Sequence, residues 1–91
     1  MQTPHLDVRM HGSGLPHPRI GLIVPRYRRN AADRNRLRRR LRELIRLELL
    51  PDLLKGDTLI RAKPDAYGVS YSILRTEVGS VKTWISSLRV Q

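Results

Sequence analysis

The sequence predicts a small α+β domain, a two-layer α/β sandwich with the order strand, strand, helix, strand, helix. Three observations support this fold class. Short segments have the apolar patterns of strands, two longer segments carry apolar residues at the helical period, and stretches rich in Pro and Gly separate them. A chain of 91 residues suffices for one modest core. We therefore expect a single domain over residues 1–91, with residues 1–4 loose.

Three segments have the patterns of strands. In the first, Leu6, Val8 and Met10 alternate with polar residues, as in a half-buried strand. The second, residues 19–24, is almost continuously apolar and ends before Pro25, which cannot donate to a strand ladder. The third covers residues 58–63. Turns are predicted at residues 12–18 and 64–68, where Gly and Pro cluster.

The first helical segment lies within residues 26–50, which hold ten arginines against three acidic residues, a net +7 of the chain's +10. Asn30 is placed to cap the helix. Asp33, three residues after Asn30, completes a capping-box-like pair. We expect the helix to end near Leu50, before Pro51, with a short turn at residues 53–54. One apolar stripe should face the core: Leu37, Leu41, Leu44, Ile45 and Leu49.

Basic residues surround this helix except on its core side. A rotation of about 100° per residue places Arg38 and Arg42 along one edge of the stripe and Arg36 and Arg40 along the other. A solvated surface is the alternative, but few acidic partners are available beyond the first turn. Because like charges repel, the pattern predicts a polyanionic partner. The predicted RNA-binding residues are Arg26, Arg28, Arg29, Arg34, Asn35, Arg36, Arg38, Arg39, Arg40, Arg42 and Arg46.

The remaining aromatic residues and the second helix are assigned mainly to the core. Tyr27, in the connector before the basic helix, has two open roles: stacking on a base, or packing over the strand end. Trp84 is expected in the core. The second helix, at about residues 70–88 and nearly neutral, is expected to be structural. Its apolar stripe is Tyr71, Leu74, Val78, Val81, Ile85 and Leu88.

Several functional classes are disfavoured. The chain contains no cysteine, which excludes disulfides and Cys-ligated zinc and fits a reducing cytoplasm. It has neither an apolar run of membrane-spanning length nor an N-terminal signal region. His5, His11 and His17 lack metal-site spacing, and the motifs of protein nucleophiles and phosphate-binding loops are absent. We predict no catalytic residue and no metal ligand in this chain.

Residues 19–88 resemble the bacterial ribonuclease P protein subunit. The resemblance begins with the strand start Arg-Ile-Gly-Leu at residues 19–22 and a basic step at Arg26. It continues with Arg-Asn-Arg at 34–36, Leu-Arg-Arg at 37–39 and Arg-Glu at 42–43. Downstream, Lys-Gly-Asp at 55–57 and Ala-Lys-Pro at 62–64 also fit the family's pattern. The combination is more specific than the Arg-Asn-Arg stretch alone.

This resemblance implies that the basic helix makes a left-handed crossover between parallel strands. It also implies an accessory subunit of an endoribonuclease, in which a catalytic RNA holds the Mg²⁺ ions and removes the 5′ leader of precursor tRNA. By position, Asn35, Arg38 and Arg42 would face the leader, and Arg26 matches the family's basic step. The residues near the catalytic RNA would be Arg34, Arg36, Arg39 and Arg40.

The chain departs from the family pattern at its front. The family's first helix, which carries aromatic residues, has no counterpart, so we expect an N-terminally shortened member whose leader cleft lacks one wall. The alternative function is a general structured-RNA-binding or ribosome-associated protein without a processing role. The basic helix alone is equally compatible with that alternative.

Overall fold

Three strands and two helices follow one another in the predicted order in the computed structural model, which describes residues 1–11, 18–52 and 56–88. Residues 12–17 of the turn predicted at 12–18, including His17, and the turn predicted at 53–54 lie outside the described residues, whereas Pro18 already belongs to a strand. A 3₁₀ turn, Pro64–Gly68, connects the last strand to the second helix. The elements are β1 (Leu6–His11), β2 (Pro18–Ile23), α1 (Ala31–Leu44), β3 (Gly56–Ala62) and α2 (Tyr71–Leu88).

The three strands form one mixed sheet with the order β1-β3-β2. The central strand β3 runs antiparallel to β1 and parallel to β2, with Ile60 opposite both Val8 and Leu22. Because β2 and β3 are parallel neighbours, α1 has to cross over the sheet to connect them. The crossover between parallel strands that the resemblance implies is therefore present, and its left hand stays a prediction.

Both helices pack on the same side of the sheet, where alternate strand residues are buried. Val8 and Ile60 of the sheet are fully buried. The predicted stripe of α1 is confirmed in full, since Leu37, Leu41, Leu44, Ile45 and Leu49 are all buried. This burial fixes the rotation of α1 and leaves its arginines on the remaining surface.

The basic helix changes type before it ends. Regular α-helix stops at Leu44, a π-helical turn covers Ile45–Leu49, and a 3₁₀ turn covers Leu50–Asp52. The backbone N–H of Leu50 donates to the carbonyl oxygen of Ile45, which is the wider spacing of a π-helix. The predicted helical extent is therefore approximately right, whereas the change of type was not predicted.

The prediction that residues 1–4 are loose is wrong, because these residues are held by hydrogen bonds. Gln2 forms an antiparallel bridge with Asp7, and the terminal amine of Met1 donates to the carbonyl oxygen of Val8 at 2.9 Å. The Glu77 carboxylate, on α2, accepts hydrogen bonds from the Thr3 hydroxyl, from the His5 backbone N–H at 2.8 Å and from Nδ1 of His5. These non-local contacts hold the first residues against β1 and α2.

The stripe of α2 is confirmed in its middle and wrong at its start. Leu74, Val78 and Ile85 are buried, but Tyr71 is 39% exposed. Glu77, which the apolar pattern omits, is buried instead. Within the described helices, none combines the length and apolar character that crossing a membrane requires.

Candidate nucleic-acid interface

A tight turn positions the start of the basic helix. The backbone N–H of Arg29 donates to the carbonyl oxygen of Arg26 at 2.7 Å, and the residues between them, Tyr27 and Arg28, both have positive φ, 47° and 68°. Asn30 then caps α1 as predicted, because its side-chain oxygen accepts from the backbone N–H of Asp33 at 2.8 Å. Arg26 and Arg28 are exposed in this connector.

Arg34 is held against the protein. Its Nε donates to the carbonyl oxygen of Val24 at 2.7 Å, and the residue is half-buried. This bond joins the first turn of α1 to the residue that follows β2. The Arg34 side chain therefore has a structural role that the sequence did not indicate.

One side of α1 faces the edge strand β2. An open cavity of about 510 Å³ lies there, with Ile20 and Leu22 on its apolar floor and Arg38, Arg42 and Arg46 around it. Asn35 lines a smaller cavity of about 280 Å³ together with Arg38 and Arg42. We call this surface the β2 side of α1. It brings together the residues that the resemblance places toward the leader.

The opposite side of α1 faces the 3₁₀ turn and the start of α2. Arg36 and Arg40 lie there beside Tyr67 and Tyr71, and Arg29 lies beside Tyr67. The predicted sorting of the arginines onto two edges of the apolar stripe is therefore observed. Arg39 lies on the ridge between the two sides and lines cavities on both.

Most of these arginines have no acidic partner within the described residues. Glu43 pairs with Arg46 at 3.7 Å, whereas Glu48 pairs at 3.7 Å with Arg75 of α2. In the part of the chain that the structure describes, six arginines of α1 form no ion pair: Arg34, Arg36, Arg38, Arg39, Arg40 and Arg42. Their mutual repulsion is thus left uncompensated, and bound phosphates would relieve it.

The arginines of this surface have the donor chemistry of a phosphate site. Among residues 1–11, 18–52 and 56–88, no three His, Asp or Glu side chains come together in a way that could hold one. His5 is engaged by Glu77. Guanidinium groups donate hydrogen bonds and carry positive charge, so the arginine sides of α1 fit phosphate.

A further basic surface, on the sheet, was missed by sequence reasoning. The side of the sheet away from the helices carries the exposed residues Arg9 and Arg61, with Ile23 and Leu59 also exposed between the strands. Gly21 stands in the same surface, where a Cβ atom would come within 3.0 Å of the Leu59 side chain. The strand alternation does contain this signal, because residues 9, 59 and 61 occupy non-core positions.

A profile of the ribonuclease P family matches residues 1–85. The chain belongs to the ribonuclease P protein family. The ribonuclease P protein component of Syntrophobacter fumaroxidans is 38% identical over 72 residues, which are 77% of this chain and 60% of that protein. The same component of Vibrio cholerae is 36% identical over 83 residues, which are 90% of this chain and 68% of that protein. The chain thus spans about three-fifths to two-thirds of these relatives' lengths.

Solved ribonuclease P proteins have the same fold. The protein from Thermotoga maritima superposes with a TM-score of 0.78 at 23% identity, covering 93% of this chain and 81% of that one. The protein from Staphylococcus aureus superposes with a TM-score of 0.73 at 18% identity, covering 98% of this chain and 78% of that one. The α+β architecture predicted from the sequence is confirmed.

Two segments that carry the family resemblance, residues 19–22 and 55–57, contact each other in this fold. Arg19 donates hydrogen bonds from Nε and Nη2 to the two carboxylate oxygens of Asp57, each at 2.8 Å. The two residues are directly opposite each other in the parallel pair of β2 and β3. The hydrogen bonds from Arg19 lower the pKa of Asp57. This family pattern therefore marks strand pairing next to the basic helix α1.

Proposed function

We propose that this protein is the protein subunit of ribonuclease P, which binds the catalytic RNA and the 5′ leader of precursor tRNA and thereby promotes 5′ maturation of tRNA. The observation that carries the proposal is the helix α1 of a ribonuclease P family member, with arginines free of ion pairs on two sides. The protein would act in the cytoplasm as an accessory subunit of an endoribonuclease.

The two sides of α1 suggest a division of labour. The β2 side holds Asn35, Arg38 and Arg42 around an open cavity, and we assign it to the leader. The opposite side, with Arg36 and Arg40, we assign to the catalytic RNA. Bidentate guanidinium groups suit phosphodiesters on both surfaces. Arg34 would contribute chiefly by fixing the helix start on Val24.

In this proposal the chain binds and orients RNA, and its own residues transfer no proton and bind no metal. Mg²⁺ would be held by the partner RNA, where it would activate the attacking water. The contribution of the protein would be electrostatic: the arginines would lower the repulsion between the catalytic RNA and the negatively charged substrate.

The test is cleavage of precursor tRNA by a bacterial ribonuclease P RNA at low Mg²⁺, with and without the protein. Substrates with a long leader and with a one-nucleotide leader should be compared. We expect stimulation of both, with a larger effect on the long leader. The double variant Arg38→Gln/Arg42→Gln should lose the dependence on leader length. Arg75→Gln, which removes an exposed arginine outside α1, should retain it.

The possible outcomes of this test distinguish the leader assignment from the catalytic-RNA assignment, and the processing function from general RNA binding. Stimulation without any dependence on leader length would contradict the leader assignment and leave the catalytic-RNA assignment in place. Tight RNA binding without stimulation of cleavage would contradict the processing function and favour a general structured-RNA-binding protein. That general function also predicts equal affinity for ribosomal RNA of similar length.

A further inference from the structure

A groove runs between α1 and the segment formed by the 3₁₀ turn and the start of α2. It consists of two adjoining cavities of about 350 and 250 Å³ that share Arg36 and Arg40. We call it the tyrosine groove, because a tyrosine lies in each cavity. The residues that matter for its chemistry are Arg29, Arg36, Arg39, Arg40, Tyr67 and Tyr71.

The tyrosine groove is positively charged. Its four arginines stand against two carboxylates, Asp33 and Glu43. Asp33 lies in the first turn of α1, where the helix dipole favours a negative charge, and Glu43 is already paired with Arg46. Arg36 and Arg40 are four residues apart, about 6 Å along the helix axis, and no described carboxylate pairs with either. The positive charge of the groove and the spacing of Arg36 and Arg40 therefore suit two neighbouring phosphates of one nucleic-acid strand.

Tyr71 is exposed where the apolar pattern predicts burial. The residue is 39% exposed, it lines the groove beside Arg36 and Arg40, and its hydroxyl has no hydrogen-bond partner within the described residues. The ring therefore contributes little to the core. Proteins bind single-stranded nucleic acids with this combination: the bases stack on exposed aromatic rings, and neighbouring arginines contact the phosphates.

Tyr67 is exposed less and is held rigidly. Its hydroxyl donates to the carbonyl oxygen of Pro25, and its ring meets Tyr27 edge to face with centroids 6.5 Å apart. The guanidinium carbon of Arg29 lies 5.4 Å from the ring centroid, within the range of a cation–π contact. Arg29 itself is exposed. The pair of Arg29 and Tyr67 thus offers a second stacking platform, because guanidinium planes also stack on bases.

We propose that the tyrosine groove binds a short segment of single-stranded RNA. Its phosphates contact Arg36 and Arg40, one base stacks on Tyr71 and another on the pair of Arg29 and Tyr67. This inference rests on the proposed function only in assuming an RNA partner, and it adds a base-stacking site to the side of α1 that faces away from β2. A duplex fits poorly, because its bases are already stacked and paired.

The test is the affinity for a short labelled oligouridylate, measured by fluorescence anisotropy at one fixed low salt concentration. Tyr71→Ala should weaken binding roughly tenfold, the effect of losing one stacked base. Tyr71→Phe keeps the ring and should bind like the unmodified protein. The matched control is Ile73→Ala, which removes a 47% exposed apolar side chain from the same helix turn and should leave affinity unchanged.

A second comparison identifies the side of α1 that is used. Arg36→Gln/Arg40→Gln should remove most of the effect of Tyr71→Ala on oligouridylate binding, whereas Arg38→Gln/Arg42→Gln, on the side assigned to the leader, should leave that effect unchanged. A blunt RNA duplex of the same length should bind more weakly and should not respond to Tyr71→Ala. Melting curves of each variant confirm that it is folded.

The inference is wrong if Tyr71→Ala and Ile73→Ala bind equally well, or if the duplex binds as tightly with the same dependence on Tyr71. Its failure can be told apart from failure of the proposed function. Stimulated precursor cleavage together with unchanged oligouridylate binding by Tyr71→Ala would overturn the groove alone. Binding that depends on Tyr71 without any stimulation of cleavage would support the groove and overturn the processing function.

Discussion

The hydroxyl of Tyr27 donates a hydrogen bond to the carbonyl oxygen of Ala62 at 3.1 Å. Tyr27 belongs to the connector that precedes α1, and Ala62 is the last residue of β3. The bond therefore ties the entry of the basic helix to the end of the central strand. Of the two roles that the sequence left open for Tyr27, packing over the strand end is the one observed.

Tyr27→Phe tests how much this bond stabilises the fold. The change keeps the ring against Tyr67 and removes one hydrogen-bond donor, so we expect a loss of about 1 kcal/mol in the free energy of unfolding. Urea denaturation measures it. Tyr71→Phe is the control, since the Tyr71 hydroxyl has no partner among the described residues. Equal losses in the two variants would contradict the role of the Tyr27 bond.

The positive φ of Arg28 predicts a stabilising substitution. Its φ of 68° lies in the left-handed region, which is unfavourable for any residue with a Cβ atom. Arg28→Gly should raise the free energy of unfolding by up to about 1 kcal/mol, the relief of strain being partly offset by the greater freedom of Gly in the unfolded chain. The change also removes one positive charge.

Arg26→Gly separates the backbone effect of Arg28→Gly from the charge effect. Arg26 is also exposed and carries the same charge, but its φ is not positive. We therefore expect Arg26→Gly to lower the free energy of unfolding slightly, in the opposite direction. Thermal unfolding of both variants at matched salt measures the difference. If both variants gained stability equally, the gain would come from reduced repulsion and not from the turn.

The sequence predicted the local structure well and the non-local structure poorly. The apolar stripe and the Asn30 cap of α1 follow from spacing alone, and both are confirmed. The placement of β3 between β1 and β2 does not follow from any local pattern, because it depends on long-range pairing. Nor does the π-helical turn at Ile45–Leu49, which has no distinctive composition.

The same contrast between local and non-local structure holds for the residues of the candidate interface and for α2. Helical periodicity sorts Arg38 from Arg36 correctly, because rotation about the helix axis is a local property. Periodicity does not reveal how far the neighbouring elements extend over α2. Tyr71 therefore proved exposed, and Glu77 proved buried, since its partners Thr3 and His5 are more than 70 positions away in the chain.

Glu77 should make the fold sensitive to acid. Burial alone would raise the pKa of the Glu77 carboxyl, but the hydrogen bonds from Thr3 and His5 outweigh it, so that its pKa lies below the ordinary value. A lowered folded-state pKa stabilises the fold at every pH above the unfolded-state value, and this stability is lost as the pH falls through the folded-state value. We expect the loss below about pH 4.5.

Glu77→Gln provides the measurement. At neutral pH the variant should lose roughly 2 kcal/mol, because charge-assisted hydrogen bonds are replaced by neutral ones. The difference between the two proteins should then shrink as the pH falls toward about 3. Asp65→Asn, which removes an exposed carboxylate without a hydrogen-bond partner in the described part of the chain, is the control. A constant difference at every pH would contradict the role of the ionised carboxylate.

The arginines of α1 that lack ion pairs should make the protein respond to multivalent anions. Sulfate that binds the folded state with a concentration ten times its dissociation constant would stabilise it by about 1.4 kcal/mol. For a domain of this size that corresponds to roughly 5–10 °C in the melting temperature. The comparison is sodium sulfate against sodium chloride at equal ionic strength, followed by thermal unfolding.

Sulfate also stabilises proteins by its exclusion from their surfaces, so the variants decide the cause. Arg38→Gln/Arg42→Gln removes two of the arginines without ion pairs and should show a smaller sulfate effect. Arg75 lies outside α1, and its ion pair with the half-buried Glu48 is long, at 3.7 Å, and contributes little stability. Arg75→Gln should therefore respond like the unmodified protein. An equal rise in all three proteins would attribute the effect to exclusion and would contradict anion binding by α1.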